Sequence, residues 1–404
     1  MSRTPGPDAP VFRPSRRGFL AGTGLLALGA CMPGGARTDI LSPGPITPVA
    51  QPILPGETLG PGPVRVALLA AQSGEGIRGQ IGAATRNAAD LALRDFANPG
   101  ISISVIDSRG TTDGAAIAAQ SAVSAGAELI LGPFFGDEVR GAAPIAQAAG
   151  IPVISFSSDP SVAGPGVFVM GVLADTDIGE IVAYAASQGR RSIAALIAET
   201  QYGTLAEAAL RQHAARAGMR IVQVQRFPAD PASIQAAAGT LAANRDQIDC
   251  ILVPDGPGVA DVVGQALQSA GVMGGPIMLL GSGQWNAPSL YSNPALLGGR
   301  FPAPDIDAFR NFANAYRAAF GVEPPPNAAL VYDAVTLAAA LGRQAGPRRY
   351  DPAVIADPQG ALSRINGLFR FLPGGLNERR LAIYEVTTSG PRQISPAQRA
   401  FGTV

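Results

Sequence analysis

The sequence predicts an α/β protein of two lobes, each a doubly wound parallel sheet. Two observations carry that expectation. Apolar runs of strand length, such as "VRVALLA" and "SIAALIA", lack polar alternation, and each precedes a single helix-length pattern. Strands buried on both faces and separated by single helices form parallel sheets in βαβ units. The alternation also runs twice, closing after "VFVMGV" and then beginning again. Two such series in about 340 residues point to two lobes.

The N-terminal "PSRRGFLAGTGLLALGACMPGG" comes before either series. Arg16 and Arg17 form a charged region ahead of a short, glycine-dotted apolar run from Phe19 to Ala30. That run falls short of the roughly 20 apolar residues a membrane span needs, so residues 1–30 read as an export signal. "SRRGFL" resembles the twin-arginine export motif, with Ala21 where Lys is usual, and "LGAC" resembles the lipobox of bacterial lipoproteins. The resemblance implies that Cys31 carries lipid and becomes the first mature residue. Met32, rather than Asp, follows it, which favours the inner leaflet of the outer membrane. Residues 31–63, from "MPGGARTDILSPGPITPVAQ" on, are Pro/Gly-rich without a persistent period and read as a tether.

In the first series "VRVALLA" leads to a helix over about 79–96, "ISISVID" to one over 113–125, and "AELILG" to one over 137–149 before "IPVISF". In the second a helix over 176–188 precedes "SIAALIA", and one over 202–217 leads to "RIVQVQRF". Helices over 231–244 and 258–270 then alternate with "CILVPD" and "PIMLLG". Helices at 305–320 and 328–344 and the hairpin-like "GLFRFLPGGLNERRLAIYEV" are too few for a third domain and are expected to complete the two lobes.

Composition narrows the function. Net charge is zero, only 15% of residues are charged, and every basic residue is Arg, so no patch suits nucleic acid. A single histidine, His213, excludes His triads and multi-His metal sites within one chain, and its helix pattern suggests a solvated face. H-E-x-x-H, C-x-x-C and G-x-S-x-G are absent, so neither catalytic nor metal residues are assigned, and no cofactor. With Cys31 lipidated, Cys250 in "DCILVP" has no partner and reads as a buried free thiol.

"VALLAAQSG", "LILGPFF" followed by "AGIPVISFSSDP", "ETQYG", "YDAVTLAAAL" and "INGLFRFLPGG" together resemble the type I periplasmic binding proteins of the leucine/amino-acid-binding family, over about residues 64–388. The resemblance implies two doubly wound lobes joined by three crossover strands, with a ligand between them. Mapped onto this chain, lobe one is 64–172 plus 285–364, lobe two is 173–284 plus 365–390, and 391–404 is a tail. Trp285 would then lie at a crossing.

Gly74-x-Gly76-x-x-Gly79 spells the dinucleotide fingerprint between a strand and a helix. The acidic residue expected about 20 positions on is missing; Asp107, the nearest at a strand end, comes 28 residues after Gly79. The glycines therefore read as two turn residues and a close helix–sheet contact.

Ligands of open α/β sheets sit beyond the carboxyl ends of the strands. The loops there offer Ser73, Phe134 and Phe135, then Ser155, Ser157 and Ser158, and from the second series Tyr202 and Asp255. The family's amino-acid binders hold a carboxylate with hydroxyls and helix N-termini and an ammonium with a carboxylate, as the chemistry requires. Turn formation is the alternative role for Ser157, Ser158 and Asp255, and packing for Tyr202. Phe134, Phe135 and Gly136 stand where those binders supply a small hydroxyl residue, so two phenylalanines would line or partly fill the cleft. That departure, with the lipid anchor and tether, also resembles the penicillin-binding-protein activator lipoproteins. The implied function is an extracytoplasmic, lipid-anchored binder of an amino acid or small peptide serving an ABC permease. The alternative is an adaptor that stimulates a penicillin-binding protein.

Overall fold

The computed structural model describes residues 56–401, with 274 and 344–345 excepted. Arg16, Arg17 and Cys31 lie outside them. The first series forms β1 (Thr58–Leu59), β2 (Val64–Ala70), α1 (Ile77–Asp95), β3 (Ile101–Asp107), α2 (Thr112–Ser124), β4 (Leu129–Leu131), α3 (Gly136–Ala148), β5 (Val153–Ser155) and β6 (Val167–Val169). The sheet order is β1-β3-β2-β4-β5-β6, parallel except for the short edge strand β1, which lies at the end of the expected tether.

The second series forms α4 (Ala174–Ser187), β7 (Ser192–Ala198), α5 (Gln201–Arg216), β8 (Arg220–Phe227), α6 (Pro231–Ala242), β9 (Cys250–Val253), α7 (Val259–Ser269), β10 (Met278–Gly281), α8 (Pro288–Tyr291) and β11 (Arg300–Ala303). Then come α9 (Ile306–Phe320), α10 (Ala328–Gly342), α11 (Pro352–Ile355), β12 (Ala361–Leu362), β13 (Leu368–Phe371), β14 (Asn377–Arg379), β15 (Ala382–Thr387) and β16 (Gly390–Ser395). The second sheet runs β16-β15-β11-β10-β9-β7-β8, parallel from β11 to β8 and closed by the antiparallel pair β15 and β16. A small antiparallel sheet, β12-β13-β14, stands apart.

Every residue of β7 and β9 is buried, as strands covered on both faces must be. Local chemistry starts the helices between them: Thr111 caps α2 through Gly114 N at 3.0 Å, Thr200 caps α5 through Gly203 N at 2.9 Å, and Asp230 caps α6 through Ser233 N at 2.9 Å. Cys250 is buried and unpaired, and burial pushes its thiol up to about 12. His213 is not on a solvated face. Its ring packs against Gly179 and bonds Asp175 at 2.9 Å, joining α5 to α4.

The glycines of the fingerprint have a structural explanation. A Cβ on Gly82, one turn beyond Gly79, would lie 2.3 Å from Ala71 O at the end of β2, and one on Gly79 would lie 2.2 Å from Gly74 O. Close approach of α1 to the strand end requires both. Asp107 accepts from Ser73 N at 3.1 Å, from the Ser73 hydroxyl and from Arg109 N at 2.9 Å, so its carboxylate organises the loop.

The chain passes between lobes three times, but not at all the expected places. The first passage follows β6. The second comes after β11, because Trp285, Leu290, Leu296 and Phe301 are buried in the core of the second sheet. Trp285 is therefore a core residue whose Nε1 donates to Asp255 O at 3.1 Å, and residues 285–303 belong to lobe two. Helices α9 and α10 return to the first lobe, where Phe312, Tyr316 and Val335 join its core with Phe369 and Phe371 of β13. The expected start of lobe two at 365 is thus early by the whole of β13 and β14, and the last passage lies between β14 and β15. Beyond 390 the expected tail supplies β16, paired antiparallel with β15 through a register shift between Ile383 and Tyr384.

Candidate functional site

Each sheet reverses its winding once, between β2 and β4 and again between β7 and β9. Such switch points open a crevice at the carboxyl ends of the strands. The loops flanking them carry Ser73 with Phe134 and Phe135 in lobe one, and Tyr202 with Asp255 in lobe two.

The lobe-one residues are largely committed to structure. Ser73 is exposed and bound to Asp107. Phe134, 7% exposed, sits in the core with Phe156 at 6.5 Å between ring centroids, so it packs the lobe instead of filling a cleft. Phe135 is half-buried beneath the Arg78 guanidinium, 4.3 Å from its ring centre. Ser155 is buried, donates to Pro133 O at 3.2 Å and accepts from Ser157 N at 3.0 Å. Ser157 accepts from Asp159 N at 3.1 Å, whereas Ser158 is exposed. The three serines thus share one loop, two of them in turn bonds.

Lobe two brings Tyr202 and Asp255 together with groups the sequence did not single out. Asp255, 6% exposed, accepts from Ala198 N at 3.1 Å, and burial raises its pKa to about 6. Ser282 donates to Pro254 O at 2.6 Å and accepts from Gln284 N at 3.2 Å, which folds the loop after β10 against the loop after β9. Tyr202 Oη is buried beside Ser282 and Gln284 without a hydrogen bond of normal geometry. Burial raises its pKa first, and the charges of Asp177 and Asp255 raise it further.

Asp177, in the first turns of α4, is 4% exposed. Its Oδ2 accepts from Gly283 N at 3.1 Å, so close that a Cβ on Gly283 would lie 2.6 Å from that oxygen, while Oδ1 has no partner. Burial raises its pKa to about 7, against the pull of the Gly283 N–H and of Arg379.

Behind these groups the passages are tied together. Asn377 donates to Val169 O at 2.7 Å and Gly171 O at 2.9 Å, and Arg379 Nη2 to Met170 O at 2.6 Å. Arg379 is fully buried, its pKa lowered to about 10 by burial, opposed by Asp333 of α10 and by Asp177. Asn366 Nδ2 donates to Asp333 at 2.6 Å. Eleven buried side-chain polar atoms among the described residues lack a partner, and seven belong to this band: Asp177 Oδ1, Tyr202 Oη, Gln284 Nε2, Asp333 Oδ1, Asn377 Oδ1 and Arg379 Nε and Nη1. Unsatisfied buried polar groups are costly and rare, so their concentration makes this band the candidate site. Sequence reasoning missed Asp177, Gln284, Asp333 and Arg379 because each lies in an ordinary helix, turn or strand. Three acidic residues, Asp175, Asp177 and Glu180, within "ADTDIGE" at the start of α4 were the one available signal.

An open groove of about 210 Å³ runs along the other residues of α4, lined by Gly179, Glu180, His213, Arg216 and Arg380 and touching Arg379. Its charges are mostly paired: Arg380 with Glu180 at 3.0 Å, His213 with Asp175 at 2.9 Å.

The sequence profile described as "Periplasmic binding protein" matches residues 63–390. The chain belongs to that family. Its members bind solutes and are not enzymes. Among solved structures, a protein described as a branched-chain amino acid ABC transporter from Rhodospirillum rubrum is 21% identical, with a TM-score of 0.72 over 82% of this chain and 99% of that one. A solute-binding protein of an ABC transporter from Rhodopseudomonas palustris, in complex with 3,4-dihydroxybenzoic acid, is 20% identical, with a TM-score of 0.58 over 84% and 97%. A substrate-binding protein from Desulfitobacterium hafniense in complex with Leu is 17% identical, with a TM-score of 0.60 over 82% and 99%. Among curated proteins there is no match. The likeness establishes the two-lobed α/β fold. Among the described residues of this periplasmic-binding-protein chain, no helix is long and apolar enough to cross a membrane.

Proposed function

We propose that this protein captures a small polar solute between its lobes and presents it to the permease of an ABC importer. Lipid on Cys31 and the Pro/Gly-rich tether hold it at a membrane facing the periplasm. The observation that carries the proposal is the band of unpartnered polar atoms at the switch point of lobe two and along the chain passages. A binding protein that closes by hinge motion needs such groups where the lobes meet. The ligands of the two relatives, leucine and 3,4-dihydroxybenzoic acid, support a small solute with at least one charged group.

The test is thermal unfolding of the mature protein against amino acids, short peptides and aromatic acids, with Trp285 emission as a second channel. Trp285 Nε1 bonds the Asp255 carbonyl, so a ligand reaching Asp255 perturbs the indole directly. A ligand at 100 times its Kd adds about 2.7 kcal/mol to stability. A selective shift with a change in emission supports the proposal. A flat panel overturns it and turns attention to pull-down with penicillin-binding proteins, the adaptor alternative.

A further inference from the structure

The segment that follows β16 adds a fourth tie to the three passages between the lobes. β16 is paired with β15 at the edge of the second sheet, and Ala397, just beyond it, packs against the core of that sheet. Gln398 then lines the groove along α4, with His213 and Arg216 of α5. Three residues further on, Phe401 lies against lobe one. The centre of its half-buried ring is 4.4 Å from the guanidinium of Arg370, on β13, and 4.8 Å from that of Arg380. The ring also rests on Gly360, just before β12, where an added Cβ would lie 2.9 Å from it.

The two guanidiniums are held from opposite lobes. Arg370 is fixed within the small sheet of lobe one by Glu378 at 2.7 Å and Pro358 O at 3.2 Å. Arg380 stands in the last passage, and its Nη1 donates to Glu180 of α4, in lobe two, at 3.0 Å. Phe401 therefore joins a cation anchored in one lobe to a cation anchored on the other. Its own chain is rooted in lobe two only four residues earlier, a length that reaches about 14 Å when fully extended. Rotation of the lobes about the passages moves Gly360 and Arg370 relative to Ala397 and Glu180. A segment this short must resist that rotation or release Phe401. We infer that residues 396–401 form a strap that holds the lobes in the arrangement of this structure, with the Phe401 ring as its latch. Two cation–π contacts at a partly exposed site together favour the latched arrangement by about tenfold. That is enough to bias a hinge and small enough for a bound solute to overcome. The strap acts on the free protein, so the inference stands apart from the choice of solute.

Interlobe distances in the solute-free protein test it. The mature protein carrying Cys31→Ser takes nitroxide labels through Ser124→Cys and Gln268→Cys. Both positions are exposed, one at the end of α2 in lobe one and the other near the end of α7 in lobe two, while Cys250 is buried and stays unlabelled. Double electron–electron resonance should give one dominant distance when Phe401 is present. Phe401→Ala should raise the weight outside that peak, relative to the weight within it, by about tenfold. Phe401→Tyr, which keeps the ring, should match the native distribution. Circular dichroism checks that each variant is folded. Superimposable distributions for native protein and folded Phe401→Ala would overturn the inference. So would a Phe401→Tyr distribution as spread as that of the alanine variant. Either result leaves the solute-receptor proposal standing.

Discussion

Replacing Asp177 by Asn removes a carboxylate that folding carries into the interior with one oxygen unpartnered, and the effect has a definite pH signature. Burial holds its proton, taking the pKa from 3.8 to about 7; the Gly283 N–H and Arg379 oppose the rise and Glu180 adds to it. The native state thus binds this proton more tightly than the unfolded chain. An acid shifted upward contributes its stability in full below the unfolded pKa and loses it as pH climbs to the folded one. Below about pH 3.8 Asp177 is neutral in both states, and above about pH 7 it is charged in both. At about 1.4 kcal/mol per tenfold change in proton affinity, the ionised group costs the folded state on the order of 4 kcal/mol at high pH. Urea unfolding of the solute-free protein and of Asp177→Asn at pH 4.5 and pH 8 isolates this contribution, since titrating groups that do not interact with Asp177 cancel in the difference. The variant should gain about 3 kcal/mol relative to the native protein between those two pH values. Any constant offset from the lost Gly283 bond does not affect that gain. Parallel pH profiles would refute the reasoning, because they would mean that Asp177 is as well solvated folded as unfolded.

Other substitutions separate packing from binding. Phe134→Ala should cost about 3–5 kcal/mol in denaturant unfolding if the ring fills the lobe-one core beside Phe156, and under 1 kcal/mol would contradict that placement. Gly82→Ala should destabilise by about 1–3 kcal/mol, because its Cβ would meet Ala71 O, whereas Gly239→Ala, with open space around the added carbon in α6, should be neutral or raise the thermal midpoint. Tyr202→Phe should weaken solute binding by about tenfold while leaving solute-free stability unchanged or higher, since the hydroxyl has no partner to lose; calorimetry and a melt read both. Cys31→Ser should move the protein from the membrane fraction to the soluble one, and retention in membranes would remove the lipid anchor from the proposal.

Sequence alone was sufficient for the alternation of strands and helices. Burial on both faces makes a parallel strand continuously apolar, and "SIAALIA" and "CILV" are unambiguous on that criterion. The repeat of the series, and the loops at the strand ends that hold Tyr202 and Asp255, were legible for the same reason: they follow from order along the chain. Edges and passages were not. "GPRQIS" has no apolar face, because β16 is an edge strand with mixed exposure, and only pairing with β15 makes it a strand. Trp285 follows the last strong strand of the series, yet the chain leaves that lobe only after β11, a strand interrupted by Pro302.

What the sequence by itself determined is the fold class and the addresses of its loops, since each depends on local apolar periodicity and nearby turn chemistry. What only the tertiary structure decided is which polar groups meet. Asp177 of α4, Gln284 after β10, Asp333 of α10 and Arg379 of β14 are far apart in sequence and unremarkable where they stand. Packing of the lobes and their three connecting passages buries polar atoms of all four, and that shared loss of solvent makes residues that are ordinary in sequence a candidate site.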